Sequence, residues 1–190
     1  MATNTVGFCV LFTLVATFTY VTFHLAAAPY NLSTAALAWL FSVYLVGAAV
    51  TPAAGRWTDT RGHRAALGRA VGIGLTGGLF LLTPWLVTIM LGLTLVATGV
   101  FVAQATASGY IGNVTDRDRG LAVGLYSTFY YLGGSAGAAA PAVFWNAGGW
   151  KATVGLVMAV QVGTFLLAML FWQPTTSRSA PSPMPASEQA

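Results

Sequence analysis

In 190 residues, 56% of side chains are hydrophobic and only 6% charged, against roughly 25% charged in an average soluble domain, so the chain cannot build a water-facing surface and is an integral membrane protein. Its formal charge of +4 comes from basic residues scattered among turns, which excludes a nucleic-acid patch and makes the anionic leaflet of the bilayer their partner. The single cysteine, Cys9, excludes an internal disulfide.

Residues 5–28 are long enough to cross a bilayer, which takes about 20 apolar residues in a helix. Ala26-Ala27-Ala28 has the look of a signal-peptide cleavage site. No basic residue precedes the run, however, and it exceeds the usual apolar region of roughly 7–15 residues, so it is read as a retained span. Pro29 to Thr34 then reads as a turn in which Ser33 or Thr34 caps the next helix. A second span covers residues 35–54, with Pro52 in its last turn, where a kink costs little.

Residues 55–67 concentrate three arginines, an aspartate and a histidine between two stretches without charge, and read as a short, water-pinned hinge loop. The third span is residues 64–82, and Pro84-Trp85 makes the next turn, with Trp85 suited to the membrane interface. A fourth span, residues 86–110, leads to a second charged loop at 113–120. The fifth, residues 121–145, is followed by a turn at 146–151, and the sixth is residues 152–172. From 173 to 190 the chain turns to Pro, Ser, Thr and Ala and reads as a disordered tail.

Basic residues orient these six spans. Arg56, Arg61, Arg64, Arg69, Arg117, Arg119 and Arg178 fall at even-numbered turns or in the tail, and only Lys151 at an odd one, so both termini and the tail are cytoplasmic. In lipid, helices associate through close backbone approach. The patterns Gly74-x-x-x-Gly78 and Gly133-x-x-x-Gly137 are the candidate packing faces. Phe41 to Gly47 leading to Pro52 is echoed by Phe129 to Gly134 leading to Pro141, three spans on, as a three-plus-three inverted repeat requires.

Polar side chains inside spans are costly in lipid unless they face a cavity or a partner helix. Tyr20, His24, Tyr44, Gln104, Tyr130 and Tyr131 are the candidate cavity residues. Each has a plainer reading: an interfacial histidine for His24, a helix-to-helix hydrogen bond for Gln104 and a membrane belt for the tyrosines. Gln161 reads as packing and Tyr126 as the weaker of the tyrosines. No Asp or Glu falls within a span to carry a coupling ion. No metal-ligating cluster, phosphate-binding loop or nucleophile–base pair is present, so neither enzyme nor cofactor is expected.

Gly55, Asp59, Gly62, Arg64 and Leu67 fit the pattern Gly-x-Leu-Ala-Asp-Arg-x-Gly-Arg-Lys-x-x-Leu, and the stretch resembles the signature loop between the second and third helices of each half of major facilitator superfamily transporters. Trp57 stands for the leucine, Thr60 and His63 for the arginines and Arg64 for the lysine. Tyr30 to Ser33, Arg119 to Ala122, Tyr130 to Ser135 and Gly149-Trp150 are similar to the C-terminal half of bacterial members, drug/proton antiporters or arabinose-type efflux permeases. This resemblance implies an all-α integral membrane protein with six transmembrane helices forming one half, a 3+3 inverted repeat, of a twelve-span fold. It implies a multi-pass protein of the bacterial inner membrane that exports a small organic substrate by alternating access, proton-coupled in the antiporters. The gene would be truncated or split, with a complementary six-span half or a second copy as partner. Gly55, Asp59, Arg61, Gly62 and Arg64 would form a conformational latch, in which Asp59 meets a helix N-terminus of the other half. The competing readings are a non-transporting accessory membrane protein and an inactive fragment of a transporter.

Overall fold

The computed structural model describes residues 2–114 and 119–172, without the side chains of residues 54, 57, 59–61, 113, 114 and 119. The centre of the second charged loop and the tail expected to be disordered lie outside the described residues. Every described element is helical. α1 is Ala2–Ala26, α2 is Thr34–Trp39, a 3-10 turn follows at Leu40–Ser42, and α3 is Val43–Arg61. α4 is His63–Leu81, α5 is Leu86–Val114, α6 is Arg119–Ala139 and α7 is Pro141–Phe171. Among the described residues, four stretches are long and apolar enough by themselves to cross a membrane: Ala2–Ala26, Thr34–Ala53, Leu86–Gly112 and Pro141–Phe171.

The turn at residues 29–33 forms as its residue types dictate. Ser33 is extended, and its hydroxyl accepts a hydrogen bond from the Ala36 amide at 3.3 Å, which satisfies one of the orphan donors of α2. The 3-10 turn keeps right-handed helical dihedrals on both sides, so α2 and α3 form one rod from 34 to 61. That rod is roughly 42 Å long, more than the hydrocarbon core of about 30 Å.

The stretch expected as a hinge loop is therefore helix on both sides of one residue. Gly62 alone breaks it, at φ 81° and ψ 154°, a backbone geometry that glycine adopts freely and a residue with a Cβ resists. No other breaker stands between Ala53 and Arg61, so the helix carries its charged last turns beyond the apolar segment. Pro52 consequently lies in the interior of α3 rather than in a last turn. A similar surprise occurs in α7, where only Gly148 and Gly149 depart from helical geometry within the expected turn at 146–151.

The long helices form an open arc in the order α3, α5, α4, α7, α1, α6, with α1 and α5 also touching across its middle. α3 and α6, at the two ends of the arc, make little contact with each other. The core follows α5 and its contacts with α4 on one side and α1 on the other, with Val6, Val21, Leu25, Leu67, Leu81, Ile89, Leu93 and Val96 fully buried. Lipid tails are as apolar as leucine, so close backbone fit carries much of the association. A methyl group on Gly133 would overlap the Phe8 carbonyl of α1, and one on Gly137 would lie 2.6 Å from the Phe12 carbonyl oxygen. Between α4 and α5, Gly77 and Gly92 face each other's carbonyls in the same way, and Gly99 lies against Ala70 and Gly74. Gly74 and Gly78 instead make room for Gln161 and Met158 of α7.

Side chains tie the helices together at both ends of their long axes. At one end the Tyr30 hydroxyl donates to the Pro84 carbonyl at 2.7 Å and the Trp150 indole to the Leu81 carbonyl at 2.8 Å. At the other, the Arg64 guanidinium donates to the Met169 carbonyl in the last turn of α7, where a cation complements the helix dipole. Tyr110 stacks on Trp172 beside it, with ring centroids 4.5 Å apart.

Candidate functional site

Many hydroxyls within the spans do not mark a cavity. Thr17, Thr94, Thr106 and Thr164 each donate to the carbonyl four residues back on their own helix. One group of the remaining polar side chains gathers on α3, α5 and α6.

The gathering starts from helical spacing. Tyr126 and Tyr130 lie four apart on one face of α6 and their rings stack with centroids 6.1 Å apart. Gln104 and Ser108 lie four apart on α5 and both engage the Tyr126 hydroxyl, which donates to Gln104 Oε1 at 2.6 Å. From α3, Tyr44 adds its ring, which meets Phe101 of α5 at 6.1 Å, Phe18 of α1 at 4.5 Å and Phe41 at 5.7 Å. Tyr130 is its electrostatic neighbour. Two glycines make this possible: Gly7 leaves space for the Tyr126 ring and Gly47 for the Phe101 ring.

Of the six candidate cavity residues, the structure thus brings together Tyr44, Gln104 and Tyr130. Tyr131 touches Tyr130 edge-on at 5.6 Å but points outward, 69% exposed. Tyr20 is buried and its hydroxyl donates to the Ala138 carbonyl at 3.1 Å, fastening α1 to α6. His24 stacks on Trp150 with centroids 5.0 Å apart and meets Tyr30 edge-on. It lies at the Tyr30–Trp150 end of the helices, roughly 9 Å along α1 from Phe18. Tyr126, Phe18 and Phe101 complete the cluster; sequence reasoning ranked Tyr126 as the weaker of the tyrosines and did not single out the two phenylalanines. The signal was the pair of four-residue spacings, Gln104 with Ser108 and Tyr126 with Tyr130, which only become one site once α5 and α6 are adjacent.

Chemically, the cluster offers aromatic faces from four helices, phenol hydroxyls and the amide of Gln104, whose NH2 group remains to donate when Oε1 accepts from Tyr126. It suits an aromatic or amphipathic organic molecule with a few acceptors. Among the described residues no group of three His, Cys or carboxylate side chains could hold a metal.

At the arginine-rich end, Gly55 and Asp59 ride on the last turns of α3, with Arg61 just before Gly62. The side chains of Asp59 and Arg61 lie outside the described residues. Arg56 is exposed and Arg64 ties α4 to α7. His63 is buried, its ring 5.6 Å from that of Tyr110.

Deep in the core, Gln161 projects between α1 and α4. Its Nε2 has no hydrogen-bond partner, and a cavity of about 20 Å³ lined by Cys9, Thr13, Gly99 and Thr164 lies beside it.

The sequence model of the Major Facilitator Superfamily matches residues 5–189. The chain is 31% identical over 167 residues to the uncharacterized MFS-type transporter YybF of Bacillus subtilis (strain 168), covering 88% of this chain and 40% of that protein. It is 34% identical over 165 residues to the inner membrane transport protein YnfM of Escherichia coli (strain K12), covering 84% and 40%. An uncharacterized transporter of Buchnera aphidicola (subsp. Schizaphis graminum) is 26% identical over 164 residues, again with 40% of its length covered. The chain spans about 40% of the length of these curated relatives.

Proposed function

Because the chain belongs to the Major Facilitator Superfamily, whose members are membrane transporters and not enzymes, we propose that it forms one six-helix half of an alternating-access exporter. The observation that carries this reading is the unclosed mouth of the arc, with the tyrosine cluster inside it. Only 17% of the span 34–53 is buried, against 56% of α1, and Leu45, Trp39, Leu121 and Tyr131 all point away from the protein. Among the described residues no atom lies within 4 Å of a methyl added at Gly55, Gly120 or Gly124, which leaves room there for an approaching helix. A complementary half, in the same polypeptide, in another or in a second copy, closes the mouth.

Six crossings in a three-plus-three arrangement follow. Exchanging α1 with α5, α3 with α6 and α4 with α7 maps the pattern of helix contacts onto itself, as an inverted repeat would. α4 and α6, with 19 and 21 residues, are roughly 28 and 32 Å long, enough to cross when neighbours shield their glycines. The arginine-rich end is cytoplasmic, which places both termini inside. An aromatic or amphipathic organic molecule binds among Tyr44, Gln104, Tyr126 and Tyr130, against the partner's wall. Asp59 latches one conformation by capping a helix N-terminus of the partner half. Proton coupling falls to the partner half or to His24, since the described spans of this half carry no carboxylate.

The test is the detergent-corrected mass of the full chain by light scattering, alone and co-expressed with a complementary half, followed by dye export from vesicles. A discrete two-half complex that exports dye, and loses export on Tyr130→Ala, supports the proposal. A well-behaved monomer that ignores every added half refutes it in favour of a non-transporting membrane protein.

A further inference from the structure

A second concavity shares no lining residue with the tyrosine cluster. It is a cleft of about 320 Å³ between α3, α4 and α5, lined by Val50 and Ala53, by Arg69 and Ile73, and by Thr98 and Val102. Each pair sits three or four residues apart on its helix, so each helix presents one turn of a single face to the cleft. Among the described lining residues only Arg69 and the Thr98 hydroxyl are polar.

Arg69 is the anomaly. It is exposed, and it lies two turns into α4, about 9 Å along the helix from His63. An arginine at that depth must reach toward the headgroup layer or pair with an anion, because lipid solvates it poorly. Its guanidinium carries five N–H donors, enough to keep a contact with the protein and clamp a phosphate as well.

We propose that this cleft binds one anionic phospholipid, with its phosphate on Arg69 and an acyl chain laid between α3, α4 and α5 along Ile73, Val50 and Val102. The apolar wall demands a ligand with a long apolar part, which excludes free phosphate. The Arg69 guanidinium in the wall selects an anionic over a zwitterionic headgroup. The site requires only that the helices lie in a bilayer, and so stands apart from the partner-half reading.

The experiment is native mass spectrometry of the full chain in detergent, titrated with phosphatidylglycerol or phosphatidylcholine. The parent should hold one phosphatidylglycerol more tightly than phosphatidylcholine. Arg69→Ala should lower the phosphatidylglycerol affinity about five-fold and leave phosphatidylcholine unchanged. Ile73→Trp, which keeps the charge and fills the cleft, should weaken both lipids and serves alone if Arg69→Ala does not fold. Lys151→Ala, at the opposite end, should alter neither. An unchanged lipid preference in Arg69→Ala overturns the proposal, as does full phosphatidylglycerol binding by Ile73→Trp. Displacement of the lipid by a second copy of the chain would also overturn it, assigning the cleft to self-association.

Discussion

Gly137→Ala should loosen the α1–α6 contact by a definite amount. The new methyl would stand 2.6 Å from the Phe12 carbonyl oxygen and 3.0 Å from its Cα, where ordinary contact begins at 3.4 Å. The obstructing atoms are helix backbone and cannot rotate aside, so the two helices must part by on the order of 1 Å, enough to forfeit up to half of each neighbouring dispersion contact. Overpacking of this kind costs about 1–3 kcal/mol. Gly133→Ala is worse, because its methyl would overlap the Phe8 carbonyl. Gly155→Ala is the control: it too lies inside a helix, but nothing stands within 4 Å, and relief of glycine's backbone entropy should stabilise by about 0.5–1 kcal/mol. Unfolding followed by tryptophan fluorescence in a fixed detergent would compare the three. If Gly133→Ala and Gly137→Ala melt with Gly155→Ala, α1 and α6 do not meet backbone to backbone.

Substitutions at four further positions probe other features. Gln161→Met removes a buried amide nitrogen that has no partner and should raise the unfolding midpoint, a gain of about 1 kcal/mol; a fall would mean that a water fills the adjacent cavity and satisfies it. Arg64→Ala, by releasing the Met169 carbonyl, should cost about 1–2 kcal/mol in the same assay, and Arg64→Met should restore none of it. Tyr126→Phe should destabilise by about 1 kcal/mol through the lost bond to Gln104 and weaken dye binding in equilibrium dialysis. Asp59→Asn should leave the midpoint unchanged yet alter vesicle export roughly five-fold, the worth of a carboxylate at a helix N-terminus of about 1 kcal/mol; unchanged export removes the latch.

What the sequence disclosed depended on the range of the physics. Composition gave the membrane class, and the spacing of Ser33 from the following apolar run gave its cap, because both depend on neighbouring residues. The helical reach of residues 55–61 was hidden, since charge reads as loop when the helix simply outruns the bilayer. Gly77, Gly92 and Gly99 escaped notice although their role matches that of Gly133, because they face one another across two helices and no single-helix motif records it. For the same reason Tyr44, Gln104 and Tyr130 could be suspected singly, while Tyr126, the residue that joins them, looked peripheral. His24 drew attention as a titratable group in lipid, and the structure places it in a ring stack with Trp150.

Gly149 constrains the chain differently from the crowded glycines. Its dihedrals, φ 61° and ψ −147°, lie in a region essentially confined to glycine, yet open space surrounds it. Damage from a bulky residue at a crowded position such as Gly78, which faces the flexible Met158, can be undone by trimming the neighbour. Damage at Gly149 arises within its own backbone, so no change elsewhere can relieve it. In a genetic selection, lesions at Gly78 should yield intragenic suppressors, whereas lesions at Gly149 should recover only by true reversion.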